Sequence, residues 1–263
     1  MVVVGRVESL WRYPVKSMRG EELREAFLGF SGVFGDRFCA FRNSGAPKGF
    51  PYLTGRELEQ MLLYRPRFRH AEKAAKPVNL VEAEKIAPGL TPLYPGPADL
   101  VVDVETPSGE VLAIDDPALV SLLRKVIPDA PELELLRSDR AMTDCRPISV
   151  ISNGTVRRLG EELGTAMDKR RFRANVYVDL ESGEGFSEDA FVGRKLQIGP
   201  KAVIAILERD PRCKMITLDP DTAEANSQLL RQVVQVHNAK AGVYGAVLVE
   251  GIVHTGDEIV SLT

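Results

Sequence analysis

The stretch Gly242–Leu262, GVYGAVLVEGIVHTGDEIVSL, is dominated by valine, isoleucine and tyrosine in short runs. Its interruptions, EG at 250–251 and TGDE at 255–258, are turn chemistry. Branched and aromatic residues between tight turns favour extended chain, so the segment predicts two or three strands in hairpin succession. Working back from it, strands are expected at KLQIG, AVIAILE, RANVYVDL and PISVIS. Toward the N-terminus come MVVVGRVESL and DRFCAFRN, with a hairpin of DLVVDVET and GEVLAI across PSG. Helices are expected at four places. TGRELEQMLLY has Thr54 and Glu57 at capping-box spacing and Pro66 just beyond. Asp116 caps and Pro117 opens a helix whose apolar face is Leu119, Leu122, Leu123 and Val126. NGTVRRLGEELG is capped by Ser152 or Asn153 and stopped by Gly164. TAEANSQLLRQVVQV is capped by Asp221 or Thr222. The strands do not alternate regularly with helices, which excludes a Rossmann sheet and gives an α+β, strand-rich class. The short break from Pro128 to Pro131 suggests two domains, 1–128 and 129–263.

The composition of the 263 residues is that of an ordinary globular protein, with 44% hydrophobic and 27% charged residues. A net charge of -3 provides no overall basic field for nucleic acid. No apolar run is long enough to cross a membrane, and MVVVGRVESLWRYPVKS reads as a first strand rather than a secretory leader. Cys39, Cys145 and Cys213 are odd in number and widely spaced, and no CxxC pair exists. That argues against a disulfide framework and for a reducing, cytoplasmic setting.

DPRCKMITLDPDT, Asp210–Thr222, sets Cys213 directly after Arg212 on a proline-punctuated stretch. A lone cysteine is commonly a small buried hydrophobe. The adjacent guanidinium argues otherwise, because a cation favours the thiolate, the form that ligates metals. A Cys–His hydrolase would need a base, and His70, His237 and His254 lie in no recognisable local signature. A metal on Cys213 would need most of its donors from something other than protein.

Anion-binding candidates are basic. YPVKSMRG brings Lys16, Ser17 and Arg19 together at a turn, without the glycines of a P-loop. KRRFRANV is denser, and on a strand Arg171, Arg173 and Asn175 would share one face. Arg37 in GDRF is an isolated further candidate. The acidic pairs Glu161/Glu162, Glu188/Asp189 and Asp219/Asp221 read as helix surface and turn caps.

In order and spacing, YPVKSMRG and GVFGDRFCAFRN, then RRFRANVYVD, FSEDAFVGRKLQIG, DPRCKMITLDPDT and GVYGAVLVEGIVHTGDEIVSL, resemble the MOSC-domain proteins that carry an N-terminal MOSC β-barrel. These include amidoxime-reducing molybdenum enzymes and the C-terminal part of molybdenum-cofactor sulfurases. The resemblance implies a barrel-like MOSC domain packed on an N-terminal barrel-like domain, with both contributing to one cleft, and extends to proteins described as binding pyridoxal phosphate. It implies the molybdenum cofactor, with Cys213 as the catalytic residue and sole protein ligand to the metal. Lys16, Ser17, Arg37 and Arg173 would hold the pterin and its phosphate, and Asn175 and Arg212 the pocket wall. The implied activity is reduction of small N-hydroxylated or related N–O substrates, with electrons from an external ferredoxin- or cytochrome-type redox protein. A non-catalytic cofactor carrier or sulfur-handling module needs the same pocket and is the alternative. MTDCRPISVIS departs from the family in Cys145 and Arg146, which makes Cys145 either a second site thiol or core.

Overall fold

In the computed structural model, which describes residues 1–47, 49–85, 93, 96, 98–127 and 131–262, the chain runs β1 (Val2–Arg12), β2 (Glu21–Leu23), β3 (Glu25–Gly29), β4 (Gly32–Val33), β5 (Cys39–Asn43), β6 (Arg65–Phe68), α1 (Leu80–Lys85), β7 (Val102–Glu105), β8 (Val111–Ala113), α2 (Pro117–Lys125) and β9 (Leu133–Arg137). It continues with β10 (Ile148–Ser152), α3 (Asn153–Leu163), β11 (Val176–Leu180), β12 (Lys195–Ile198), β13 (Ala202–Pro211), α4 (Ser227–His237), β14 (Lys240–Val249), β15 (Gly251–His254) and β16 (Glu258–Leu262). Short 3₁₀ turns lie at Glu59–Leu63, Lys169–Phe172, Ser187–Phe191 and Lys214–Thr217. Two compact units result. One comprises Met1–Arg12, Gly20–Val33 and Thr143–Thr263, the other Tyr13–Arg19 and Phe34–Met142. The division expected near residue 128 falls on residues 128–130, which lie outside the described residues.

The first unit is a closed barrel. Its strands follow the order β11-β10-β14-β13-β12-β16-β1, and β1 pairs with β11 to complete the circle. The β10–β11 pair is parallel, as it must be when α3 makes the crossover between them. Period-2 alternation divides the apolar residues in two. Val7, Leu10, Val150, Val176, Val178, Ile204, Ile206 and Val243 form one core. Ile151 and Tyr177, pointing the other way, pack beneath α3 and α4 with Val156, Leu159, Leu229 and Val233. Each of these aliphatic side chains contributes roughly 1.5–3 kcal/mol by leaving water.

The helix termini show how local chemistry sets the elements. Ser152 Oγ accepts from Thr155 N (3.0 Å) at the start of α3. Gly164, at φ 65°, ends it in the left-handed conformation a side chain would resist. The last helix starts later than expected: Asn226 caps α4 by accepting from Gln228 N (3.0 Å). Asp219 Oδ1 instead accepts from the amides of Asp221 and Thr222, and Leu218 bridges to Ala225, so 219–225 is a closed turn.

The second unit has its own core of Val15, Met18, Phe38, Phe41, Leu53, Met61, Val102, Val104, Leu119 and Leu123. β5 pairs with β9, and β6, β7 and β8 form a meander that includes the expected hairpin. Asp116 caps α2, and Leu119 and Leu123 are its buried face, whereas Val126 is exposed. TGRELEQMLLY forms no α-helix. Glu57 does accept from Thr54 N (3.0 Å), and Thr54 Oγ1 accepts from Arg56 N (3.2 Å), but the chain then tightens into the 3₁₀ turn Glu59–Leu63. Leu58, Met61 and Tyr64 recur every three residues, the spacing that aligns side chains on a 3₁₀ rather than an α-helix. Pro66 then holds Arg65 extended at the start of β6.

Candidate functional site

In the barrel unit β13 runs out at Pro211, which is still paired with Lys240 on β14. Arg212 N donates to Ala239 O (2.7 Å), and Cys213 follows in extended conformation as the residue before the 3₁₀ turn Lys214–Thr217. Ile216 and Thr217 are buried and anchor that turn. Cys213 is a partly exposed free thiol, and its Sγ makes no hydrogen bond among the described residues. The surroundings of the other two cysteines favour the thiol over the thiolate. Burial pushes the Cys39 thiol up to about 12. Partial burial, and then the Glu208 carboxylate beside it, raise that of exposed Cys145. Cys145 is therefore not core. It and Arg146 share Glu208 at the surface, Arg146 through an ion pair of 2.7 Å.

Arg173 does not lie on a strand. Lys169–Phe172 is a 3₁₀ turn capped by Asp168, and Arg173 follows at φ 52° in the left-handed region. β11 starts only at Val176, so Arg171, Arg173 and Asn175 form no common strand face. The local reason is Phe172, buried as the apolar anchor of the turn, which strand alternation would have placed opposite the arginines. Arg171 is occupied by Thr217 O (2.8 Å) and the Asp219 carboxylate (2.8 Å). The Arg173 turn and the Cys213 turn pack on each other through Phe172 and Ile216.

Asn175 and Arg212 are braces. Asn175 is buried. Its Oδ1 accepts from Ser149 N (3.2 Å), and its Nδ2 donates to Trp11 O (3.3 Å), joining β10 to β1. Arg212 donates through Nε to Ala241 O (2.7 Å) and through Nη1 to Phe172 O (2.8 Å). Its Nη2 forms an ion pair of 2.8 Å with the buried Asp210.

In the second unit the sequence YPVKSMRG turns back on itself: Met18 N donates to Val15 O, and Lys16 N to Cys39 O. Lys16 is buried. Its ammonium donates to Met142 O (2.8 Å) and sits 5.1 and 4.8 Å from the ring centroids of Phe50 and Tyr52. Met142 N in turn donates to Arg37 O, which joins Lys16 and Arg37 in one cluster. The Arg37 guanidinium lies 4.3 Å from the centre of the Tyr13 ring and pairs with the buried Asp36 carboxylate. Ser17, at φ 66°, and Arg37, at φ 44°, are both left-handed although neither is glycine. Such backbone costs roughly 1–3 kcal/mol and tends to persist where a site requires it. Three of the residues singled out from the sequence, Ser17, Arg37 and Arg173, thus share this uncommon conformation.

Sequence reasoning missed Asp36, Tyr13, Phe50 and Tyr52 around these cations, and Asp210 and Ser149 in the barrel. Only the GDRF spacing hinted at Asp36. The aromatic cradle comes from distant segments and leaves no local pattern. Among the described residues, no group of three or more His, Cys, Asp and Glu side chains is arranged to hold a metal ion.

Residues 137–260 match the family described as the MOSC domain, and residues 4–90 the MOSC N-terminal beta barrel domain. Among solved structures, the YUAD protein from Bacillus subtilis is 14% identical over 97% of this chain and 94% of its own, with a TM-score of 0.46. YiiM from Geobacillus stearothermophilus is 17% identical over 45% of this chain and 55% of its own, at a TM-score of 0.33. YiiM from Escherichia coli is 14% identical with the same coverages and a TM-score of 0.34. No curated protein matches the chain.

Proposed function

Because this chain belongs to the MOSC-domain proteins that carry an N-terminal MOSC barrel domain, we propose that it binds the molybdenum cofactor through Cys213 and reduces small N-hydroxylated or related N–O compounds. One observation carries the reading. Of three cysteines, Cys213 is the one partly open to solvent, just past the end of β13, and it is neither buried like Cys39 nor set against a carboxylate like Cys145. A soft metal on a single thiolate takes its remaining soft donors from an organic dithiolene, which fits a chain whose described residues offer no second ligand cluster.

When bound, the cofactor supplies acceptance of the substrate oxygen, with electrons replaced from an external ferredoxin- or cytochrome-type redox protein. The chain's own tasks are placement and electrostatics. Cys213 binds the metal as thiolate, on a turn fixed by buried Ile216 and Thr217. Lys16 and Arg37 neutralise the cofactor's phosphate, each charge-assisted hydrogen bond contributing about 1.5–3 kcal/mol. Phe50, Tyr52 and Tyr13 hold those two cations in place through their ring faces. Arg173 is the third cation of the proposal, and Asn175 and Arg212 serve it as braces. The test is benzamidoxime reduction by protein isolated from a host that makes the cofactor, with an artificial donor. The reading predicts turnover that is lost in Cys213→Ala. Bound molybdenum without turnover would make the protein a carrier, and neither metal nor turnover would remove the reading altogether.

A further inference from the structure

The geometry points to Asp210, with Ser149 and Arg212, as the positioning device for Cys213, a role that rests on the reading of Cys213 as the cofactor ligand. Asp210 is almost fully buried, on β13, which ends at Pro211 two residues before Cys213. Its Oδ2 accepts from Ser149 Oγ on β10 (3.0 Å) and pairs with Arg212 Nη2 (2.8 Å). The Arg212 side chain is itself nearly as buried, and its fork reaches two further elements, Ala241 O on β14 and Phe172 O in the turn before Arg173. Each contact is an ordinary structural bond when taken singly. Together they fix both residues that flank Pro211, the last strand residue before the thiol's turn, to the barrel wall. They also tie the Cys213 turn to the Arg173 turn through a single guanidinium.

The chemistry explains why these residue types are present. A carboxylate buried at 1% exposure is tolerable only against a cation and donors, and Arg212 and Ser149 supply both. The guanidinium is planar with donors in a fixed fork, so it can serve a carboxylate and two carbonyls at once, which an ammonium cannot do with the same geometry. Asp210 therefore acts by orienting Arg212, and Arg212 by holding the chain on either side of Cys213. Neither needs to touch the cofactor.

The experiment uses metal-free full-length protein and measures alkylation of each cysteine by iodoacetamide, resolved by mass spectrometry. Asp210→Asn and Arg212→Lys should raise the Cys213 rate by roughly fivefold or more, as local opening grows without global unfolding. Cys145, already exposed, serves as the rate control, and buried Cys39 reports unfolding of the second unit. The fluorescence of Trp11, the single tryptophan, reports folding of the barrel unit. Ser149→Ala, which removes one donor to Asp210, should give a smaller rise in the same direction. An unchanged Cys213 rate in folded Asp210→Asn and Arg212→Lys overturns the proposal. So does a rise accompanied by loss of the native Trp11 signal in all three variants, which would make the network merely structural. Because no metal is involved, these outcomes are independent of whether the wild type binds molybdenum.

Discussion

Replacing Gly242 by alanine tests the barrel's tolerance where its wall closes on the Arg212 side chain. Gly242 lies on β14 at φ 77°, where a side chain is disfavoured by about 1–2 kcal/mol. A Cβ there would also sit 2.8 Å from Val150 O, 3.0 Å from Arg212 Nη2 and 3.1 Å from Ile151 Cβ. Val150 cannot retreat, because it is paired with Val176 on one side and Val243 on the other. Overpacking against such a wall costs about 1–3 kcal/mol, and the loss of glycine's freedom in the unfolded chain returns only about 0.4–1 kcal/mol. Gly242→Ala should therefore destabilise the barrel unit by roughly 2–4 kcal/mol. Urea unfolding followed by Trp11 fluorescence measures this, since Trp11 belongs to the barrel unit and packs edge-on against Tyr177. A loss below about 0.5 kcal/mol, the range of an ordinary surface change, would refute the claim that this wall is unyielding.

Two further outcomes follow from buried ionisable groups. Glu188 is buried, and its desolvation raises the carboxyl above its ordinary value despite hydrogen bonds from Ser152 and Thr155. A raised carboxyl favours the folded state when protonated, so its contribution is full below the unfolded value of about 4.3 and is lost as pH rises through the folded one. Glu188→Gln should thus gain stability relative to wild type between a pH below that unfolded value, about 3.5, and about pH 7, and equal differences at the two would contradict it. Lys16→Met keeps the apolar stem between Phe50 and Tyr52 but removes the ammonium. It should stay folded and lower bound pterin by about tenfold, the effect of one charge-assisted bond, and unchanged pterin content would exclude Lys16 from the site.

Legibility in the sequence followed the range of the interactions. Ser152, Gly164, Asp116 and Pro117 act over a single turn, so α2 and α3 could be read directly. The alternation of Val176, Tyr177 and Val178 gave β11 for the same reason. At TGRELEQMLLY the capping residues were recognisable, but the three-residue spacing of Leu58, Met61 and Tyr64 decided against the α-helix. Arg173 was misplaced because Phe172 needed an apolar pocket built by Ile216 and the helices, which no local pattern reveals. The closure of the barrel by β1 and β11, residues more than 160 apart, was equally out of reach of local reading. Charge singled out Lys16 and Arg37 as candidates, whereas the aromatic rings and the Asp36 carboxylate around them came only from tertiary proximity.

The most direct measurement is molybdenum and pterin analysis of wild type, Cys213→Ala and Cys145→Ala purified from a cofactor-producing host. Metal should be retained when position 145 is changed and lost when position 213 is changed, with Trp11 emission native in all three proteins. Undiminished metal after removal of the Cys213 sulfur would contradict the account at its root.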